Sequence, residues 1–312
     1  MRSMKNMRNL RLGTRGSQLA LWQARHVASL LESSLPDLKV EIKTIKTTGD
    51  KILDVALSKI GDKGLFTKEI EKELLTGEID IAVHSMKDLP SELPPGLCIA
   101  AVLEREDPRD VLLSHKNYSL AELPHAAQIG TSSLRRIAQL KAWRPDLQLV
   151  DMRGNVETRI RKMKEQDLDG IILACAGVKR LGLEEMISDY LPAHLVLPAV
   201  GQGMIAVEAR AGEQDMLKLL RRINHQDSFL ASQAERGFLH ELGGGCQVPV
   251  ASMAELRKGQ LHIQGLIASL DGKEKYSGSS DCSLPQAEEA GRELARRLLQ
   301  QGGAAILCET RK

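Results

Sequence analysis

Two short stretches of the chain carry residues that could do chemistry. Asp88 and Lys87 follow the run Ile79 to Val83, which reads as a β-strand. An aspartate there could stabilise a developing cation or move protons, while the lysine neutralises a ligand's carboxylate; the alternative is a surface ion pair. Cys246 follows glycines 243–245, which allow a thiol to be presented on a loop. Its alternative is an inert small hydrophobic residue.

Three predicted strand-to-helix junctions share one chemistry. Each combines a hydroxyl or amide helix cap with arginine, at Thr14 to Ser17, Thr131 to Arg136 and Arg153 to Asn155. Free backbone N–H groups and the helix dipole attract anions there, and arginine adds a forked donor that matches a carboxylate or phosphate. In open α/β sheets such junctions border the ligand cleft. Three of them would suit a ligand with several negative groups; the alternative for each is an ordinary cap beside a solvated arginine.

Charge is balanced over the whole chain but segregated along it. The 312 residues include 43 Lys and Arg against 41 Asp and Glu, a formal net charge of +2, which argues against a generally basic nucleic-acid binder. Residues 131–164 contain nine basic and three acidic residues, so +6 lies in that segment and −4 in the rest. A nucleic-acid binder using this segment remains a weaker alternative, since eight aromatic residues leave little for base stacking.

Alternating strand-like and helix-like segments indicate an α/β protein with mainly parallel sheets. The charged segment Glu104 to Asp110 looks like a crossing between two such units, and the turn-rich segment 198–203 could return the chain to the first. After Asn224 the pattern predicts a small α+β domain. Its predicted elements are helices at 227–240 and 286–301, strands near 247–253, 261–269 and 274–279, and a last strand at 304–308.

Cysteine usage and the absence of targeting patterns predict a soluble cytoplasmic protein. Five cysteines without a C-x-x-C pair fit neither a disulfide framework nor a thiolate zinc site. Residues 1–12 lack the apolar core of a secretory signal, and the longest apolar run, Ile171 to Val178, is too short for a membrane span. His84 is expected to be a packed or hydrogen-bonded core residue rather than a metal ligand. No Walker phosphate loop, H-E-x-x-H helix or G-x-S-x-G elbow is present.

Five motifs extend in order over essentially the whole chain. They are Arg15 to Ala20, Ala82 to Pro90, Gly130 to Arg136, Leu197 to Gly203 and Gly244 to Pro249. Together they resemble the porphobilinogen deaminase family, also called hydroxymethylbilane synthases. The resemblance implies two domains like those of a type II periplasmic binding protein around a cleft, plus a small C-terminal α+β domain. The implied bounds are 1–103 with 204–222 for domain 1, 104–203 for domain 2 and 223–312 for domain 3.

The resemblance also implies the reaction. Members of this family are transferases that deaminate four porphobilinogen molecules and join them head to tail into the linear tetrapyrrole hydroxymethylbilane. They use a covalent dipyrromethane primer, which Cys246 would hold by a thioether, and Asp88 would be the catalytic residue. A soft thiolate suits capture of the electrophilic methylene carbon left when porphobilinogen loses ammonia. The implied partner is this small molecule, without nucleic acid or membrane, and the implied state is a monomer.

By the same resemblance, further side chains should hold carboxylates. Those implied for the cofactor are Ser85, Lys87, Thr131, Ser133, Arg135 and Arg136. Those implied for the substrate or the growing chain are Arg15, Ser17, Arg153, Arg159, Arg180 and Gln202. The segment 48–63 resembles the family's mobile loop over the cleft, with Lys59 and Lys63 able to contact carboxylates.

Two positions depart from the family pattern. Asp62 stands where many relatives have glycine, and Gly243 where they often have glutamate. Neither change removes a catalytic group, but the first should stiffen the loop and the second should loosen the cofactor's attachment. No metal is expected.

A rival hypothesis from another class is a non-enzymatic protein that binds small polyanions on the same two-domain scaffold. A third domain with a glycine-flanked thiol counts against this rival. Release of ammonia from porphobilinogen would distinguish the two.

Overall fold

The computed structural model describes residues 9–51, 64–244 and 248–310. Within these residues, thirteen strands form three sheets. In chain order the strands are β1 (Asn9–Thr14), β2 (Lys39–Thr44), β3 (Ile81–Ser85), β4 (Leu97–Val102), β5 (Asp110–Leu113), β6 (Gln128–Gly130), β7 (Gln148–Val150), β8 (Gly170–Ala174), β9 (Ile187–Leu191), β10 (Ile205–Arg210), β11 (Val250–Arg257), β12 (Gln260–Ala268) and β13 (Lys275–Cys282).

The α-helices of the described residues lie between and beside these strands. In chain order they are α1 (Gln18–Ser34), α2 (Thr48–Lys51), α3 (Lys68–Leu75), α4 (Leu134–Trp143), α5 (Val156–Glu165), α6 (Cys175–Arg180), α7 (Gln214–Leu220), α8 (Gln226–Glu241), α9 (Ala287–Leu298) and α10 (Ala304–Thr310). No helix among the described residues is long and apolar enough to cross a membrane.

Two five-stranded sheets share one topology. Their strand orders are β2-β1-β3-β10-β4 and β7-β6-β8-β5-β9. In each sheet one strand, β10 in the first and β5 in the second, runs antiparallel to both neighbours, while the three strands at one side are parallel. Each antiparallel strand is the first strand after a crossing, and it lies between two other strands of the sheet that it joins. The predicted fold class is confirmed, with one antiparallel strand added to each sheet.

We propose that the domain bounds follow this strand membership. The bounds are residues 1–103 with 204–222, then 104–203, then 223–312. In support, β10 lies in the first sheet although it follows all strands of the second, and β5 lies in the second sheet directly after the first crossing.

Helix α1 shows how the sequence forms the first unit. The hydroxyl of Ser17 accepts a hydrogen bond from the Ala20 N–H at 3.3 Å and so caps the first turn. Val27 and Leu31 are fully buried and pack in one cluster with strand β1. Pro36 follows the helix and disfavours its continuation. The cap therefore places the Arg15 to Ser17 junction at the carboxyl end of β1.

The third domain is a three-stranded antiparallel sheet, β11-β12-β13, covered by α8 and α9. The two helices approach so closely that a Cβ at Gly291 would overlap the carbonyl oxygen of Ala234. The core of this domain continues into domain 1, where Met86 and Leu89 belong to the same apolar cluster. The third domain thus packs directly on the segment that carries Asp88.

Glu235 of α8 joins both crossings to the third domain. Its fully buried carboxylate accepts hydrogen bonds from Arg105 Nη1 at 2.6 Å, the Gly201 N–H at 2.6 Å and the Ala254 N–H at 2.7 Å. Arg105 also donates from Nε to the carbonyl of Gln202 at 2.8 Å. Because Arg105 lies in the first crossing and Gly201 in the second, one carboxylate fixes the two connecting segments to each other.

The last predicted strand, 304–308, is wrong: these residues lie in helix α10. Ile306 and Leu307 are buried while the residues on both sides of them are exposed, which is one face of a helix rather than a strand's alternation. Gly302, with φ of 131°, separates this helix from the preceding one. Neither β5 nor β9 was predicted.

The α8–α9 contact yields a stability prediction. We expect Gly291→Ala to lower the free energy of unfolding by about 1–3 kcal/mol, because the added methyl group overpacks the helix contact. Urea unfolding followed by circular dichroism measures this. Gly212→Ala is the matched control, since nothing lies within 4 Å of a Cβ at Gly212. Equal unfolding midpoints for the two variants would contradict the prediction.

Candidate active site

Asp88 lies at the end of a 3-10 turn, Met86–Asp88, that directly follows strand β3. Its side chain is about one-third exposed, and its Oδ2 lies 3.8 Å from Nη1 of Arg15. The predicted junction at Thr14 to Ser17 and the predicted catalytic residue Asp88 therefore lie next to each other. The pocket between them is lined by Arg15, Ser17, Leu19, Ala20, Gln23, Phe66, Val83, His84, Ser85 and Asp88.

The guanidinium of Arg15 has two further neighbours that the sequence did not indicate. Asp50 accepts hydrogen bonds from Arg15 Nη2 at 2.5 Å and from Nε at 3.1 Å. Phe66 lies under the guanidinium, with Cζ of Arg15 4.1 Å from the ring centroid. Both contacts restrict the orientation of the arginine.

The two predicted serines of this pocket already make hydrogen bonds. Ser17 caps α1, and Ser85 Oγ accepts from Nε2 of Gln23 at 2.9 Å. Gln23 is buried, so it links helix α1 to the residue that begins the Asp88 turn.

Arg135 and Arg136, at the start of α4, share one buried carboxylate. Arg135 Nη1 lies 2.8 Å from Asp110 Oδ2, and Arg136 Nη2 lies 2.7 Å from Asp110 Oδ1. Asp110 is fully buried. Burial alone would raise the pKa of this carboxyl, but the two guanidinium charges outweigh it and hold the pKa far below the usual range. The carboxylate thus stays charged and compensates part of the cluster.

The same cluster contains polar atoms without a partner. Arg135 Nε, Arg136 Nε and Arg153 Nη1 are buried, and none of the described residues accepts a hydrogen bond from them. Buried N–H donors of charged groups are costly to leave unpaired. A ligand with several carboxylates in contact with these donors would satisfy them.

Burial among positive charges weakens the protonated state of Lys87 and Arg159. Burial lowers the pKa of Lys87 to about 8; Arg136 and Arg135 add to this shift, whereas Asp88 and Asp110 oppose it. Burial, with Arg136 and Arg153, lowers the pKa of Arg159 to about 10. Excess positive charge of this kind favours binding of an anion, which would raise both pKa values again.

Thr131 and Ser133 form the entry to helix α4. Ser133 occupies the N-cap position without a capping side-chain hydrogen bond, and its N–H donates to Oγ1 of Thr131 at 3.3 Å. Thr131 is buried, whereas Ser133 is partly exposed. The uncapped first turn of α4 therefore keeps N–H donors beside the arginine pair.

Arg180 and Gln202 lie near the crossings rather than in the Arg15 pocket. Arg180 Nη2 donates to the carbonyl of Gly203 at 2.6 Å, and burial lowers the pKa of this arginine to about 10. Gln202 is buried and donates from Nε2 to the Pro108 carbonyl at 2.7 Å and to Asp110 Oδ1 at 2.9 Å. The contacts of Gln202 thus join the second crossing to the arginine pair.

Cys246, Lys59, Lys63 and Asp62 lie outside the described residues. The described residues on either side of Cys246 are Gly244 and Val248, and both lie near the segment that follows Asp88. A Cβ at Gly244 would overlap Oγ of Ser91, and Val248 belongs to the apolar cluster that includes Leu89. Gly243 and Gly244 have φ values of 77° and 67°, which glycine adopts without strain.

His84 is buried, and its Nε2 lies 3.2 Å from Oε2 of the fully buried Glu208. The expectation of a hydrogen-bonded core histidine therefore agrees with its contacts. Within the described ranges, no group of three or more His, Cys, Asp or Glu could hold a metal ion.

Sequence reasoning missed the two carboxylates that hold the arginines, Asp50 and Asp110. Asp50 lies 35 positions from Arg15, and Asp110 lies 26 positions from Arg136. One feature of the sequence could have indicated that Asp110 is buried. It ends the charged crossing and precedes three apolar residues, a pattern that fits a buried strand.

Cationic side chains of both α/β domains lie close to the Asp88 carboxylate, an arrangement typical of a protein that binds small polyanions. The chain belongs to the porphobilinogen deaminase family. Residues 10–218 match the family's "dipyromethane cofactor binding domain", and residues 229–300 match its C-terminal domain. The predicted family is confirmed.

Curated relatives match over nearly their whole length. The porphobilinogen deaminase of Syntrophomonas wolfei is 94% identical over 306 residues, which cover 98% of this chain and 100% of that protein. The porphobilinogen deaminase of Moorella thermoacetica is 53% identical over 98% of this chain and 97% of its own. Among solved structures, the periplasmic VFT2 domain of Bordetella pertussis BvgS matches with a TM-score of 0.43 at 13% identity, covering 70% of this chain and 88% of that one.

Lys87 provides a titration prediction. In protein purified without bound ligand, from cells unable to make porphobilinogen, its amine should titrate near pH 8, because burial among arginines disfavours the charge. NMR of ¹³C-dimethylated lysines measures this, with Lys87→Arg assigning the signal. A bound polycarboxylate should move the titration upwards. A free-protein value at the ordinary lysine pKa would contradict the proposed surroundings of Lys87.

Proposed function

We propose that the chain is a hydroxymethylbilane synthase, which deaminates four porphobilinogen molecules and joins them head to tail on a dipyrromethane primer. One observation carries this proposal: the Asp88 carboxylate lies 3.8 Å from Arg15, and Lys87 of domain 1 and Arg159 of domain 2 are close enough to interact electrostatically with it. Family membership supports the same substrate and reaction, and does not support the non-enzymatic polyanion binder.

The charge of the site matches the substrate. Each porphobilinogen brings an acetate and a propionate, so a growing chain gains two carboxylates with every step. Arg15, with Ser17 at the adjacent helix start, would receive the incoming unit. Arg153, Arg159 and Arg180 would hold the chain, with Gln202 at the crossing. Guanidinium groups suit this role because they bind carboxylates in a forked geometry.

Asp88 would act on the nitrogen side of the pyrrole. When the amino group of the aminomethyl side chain leaves as ammonia, its methylene carbon stays on the pyrrole, and positive charge spreads over that carbon, the ring and the ring N–H. A carboxylate that accepts this N–H stabilises the charge as it develops, and does so most strongly in a partly water-excluded pocket. The same group can take up the proton that the ring carbon releases after the new C–C bond forms.

The donor set fits the dipyrromethane cofactor. The buried, unpaired donors of Arg135, Arg136 and Arg153 would bind its carboxylates, together with Lys87 and the hydroxyls of the α4 entry and Ser85. When bound, the cofactor supplies the free pyrrole carbon to which the first substrate is joined. Cys246 would anchor it; in support, Gly244 lies against Ser91, three residues after Asp88, and Val248 shares an apolar cluster with Leu89.

The protein is proposed to act as a monomer in the cytoplasm, without nucleic acid or membrane. In support, Cys98, Cys175, Cys282 and Cys308 are all free thiols, as is usual in a reducing compartment. Lys59 and Lys63 are proposed to contact carboxylates from the segment over the cleft.

Intact mass spectrometry tests the cofactor directly. Protein made in cells that synthesise porphobilinogen should be heavier than its sequence by two pyrrole units. Cys246→Ser should have the sequence mass, because an alcohol is a far weaker nucleophile than a thiolate. An unmodified wild-type protein with full activity would exclude the covalent primer.

Asp88→Asn tests the catalytic role. The substitution keeps the shape and removes the charge, so turnover should fall by at least about a hundredfold. Ammonia release measures the rate, and thermal unfolding checks that the fold is retained. Turnover within about twofold of wild type would remove Asp88 from the mechanism.

A further inference from the structure

The guanidinium of Arg15 is held on two sides and open on a third. Its Nε and Nη2 face Asp50 at 3.1 and 2.5 Å, and its flat face covers the ring of Phe66 at 4.1 Å. Its remaining nitrogen, Nη1, is directed to the pocket and lies 3.8 Å from Asp88. Asp50 therefore binds the Nε–Nη2 edge of the guanidinium, whereas Nη1 faces Asp88.

Asp50 is itself fixed by short-range contacts. Its Oδ2 accepts hydrogen bonds from the Thr47 hydroxyl at 2.8 Å and from the Thr47 N–H at 3.4 Å. Next to it, the hydroxyl and N–H of Thr48 donate to Oε1 of Glu69 on helix α3, at 2.5 and 2.9 Å. These bonds attach the turn that carries Asp50 to the body of domain 1.

The Asp50 carboxyl stays ionised in this position. Partial burial would raise the pKa of its carboxyl, but the hydrogen bonds and charge of Arg15, together with the bonds from Thr47, hold the pKa below the usual range. A side-on carboxylate–guanidinium pair fixes the plane of the guanidinium as well as its place. With Phe66 below that plane, Arg15 loses most of its rotational freedom before any ligand arrives.

We propose that Asp50 is a positioning residue for substrate binding, which orients Arg15 so that its open end meets a carboxylate of the porphobilinogen ring docked at Asp88. This inference rests on the proposed function, in which Arg15 receives the substrate. A pre-oriented arginine binds more tightly because less conformational entropy is lost on binding. The alternative, in which Asp50 competes with the substrate for Arg15, predicts the opposite change.

Steady-state kinetics of the cofactor-loaded enzyme separate these two roles. Asp50→Asn keeps an oxygen acceptor for Thr47 and removes the charge that holds Arg15. Asp50→Glu restores the charge. Asp80→Asn is the matched control, because Asp80 binds Arg11 in the same side-on manner, from Nε at 3.2 Å and Nη2 at 2.9 Å, away from the pocket.

We expect Asp50→Asn to raise KM about tenfold with kcat within about twofold of wild type, since the lost orientation weakens ground state and transition state alike. Asp50→Glu should recover most of this loss. Asp80→Asn should lower the thermal midpoint without changing KM.

An unchanged or lowered KM in Asp50→Asn would overturn the proposal, and a lowered value would identify Asp50 as a competitor for Arg15. An equal rise of KM in Asp80→Asn would also overturn it, by showing a general loss of structure. Failure of the proposed function is distinct, because the wild-type enzyme would then release no ammonia from porphobilinogen.

Discussion

The site depends on holding several guanidinium groups together inside a protein, which both like-charge repulsion and desolvation oppose. Asp110 resolves the conflict for Arg135 and Arg136 by placing one fully buried carboxylate between them, 2.8 and 2.7 Å away. Removal of such a carboxylate would leave uncompensated charge in the interior. Because one carboxylate neutralises only one of two arginines, a net positive charge remains at this pair. A polycarboxylate ligand can neutralise that charge.

The chain path places this carboxylate where it is needed. Asp110 is the first residue of β5, the strand that the first crossing inserts into the second sheet, and Gln202 reaches it from the second crossing. Glu235 ties the same two crossings to the third domain through Arg105 and Gly201. The arginine pair, the crossings and the third domain are therefore one connected polar structure. Cys246 follows helix α8, the helix that carries Glu235, so the primer's proposed anchor belongs to the domain that fixes the crossings.

Local sequence predicted most elements because their causes are local. Ser17 caps α1 and Asn155 caps α5 as their positions indicated, and the apolar spacing of both helices shows which face is buried. The failures have the opposite cause. The apolar residues predicted as a strand at 304–308 form one face of a helix instead. Strand β5 was missed because its four residues follow a charged segment and pair only with strands that are distant in sequence, β8 and β9.

The sequence by itself determined the chemistry available to this protein: a carboxylate after a buried strand, three helix starts rich in arginine, a thiol among glycines, and membership of one family. Only the tertiary structure decided which acid restrains which arginine. Asp50 meets Arg15 across 35 positions and Asp110 meets Arg136 across 26. The local sequence around a charged residue does not specify which distant residue will pair with it. An ion pair between distant residues forms because packing brings them together, and packing of apolar faces is settled only when the sheets, crossings and third domain assemble.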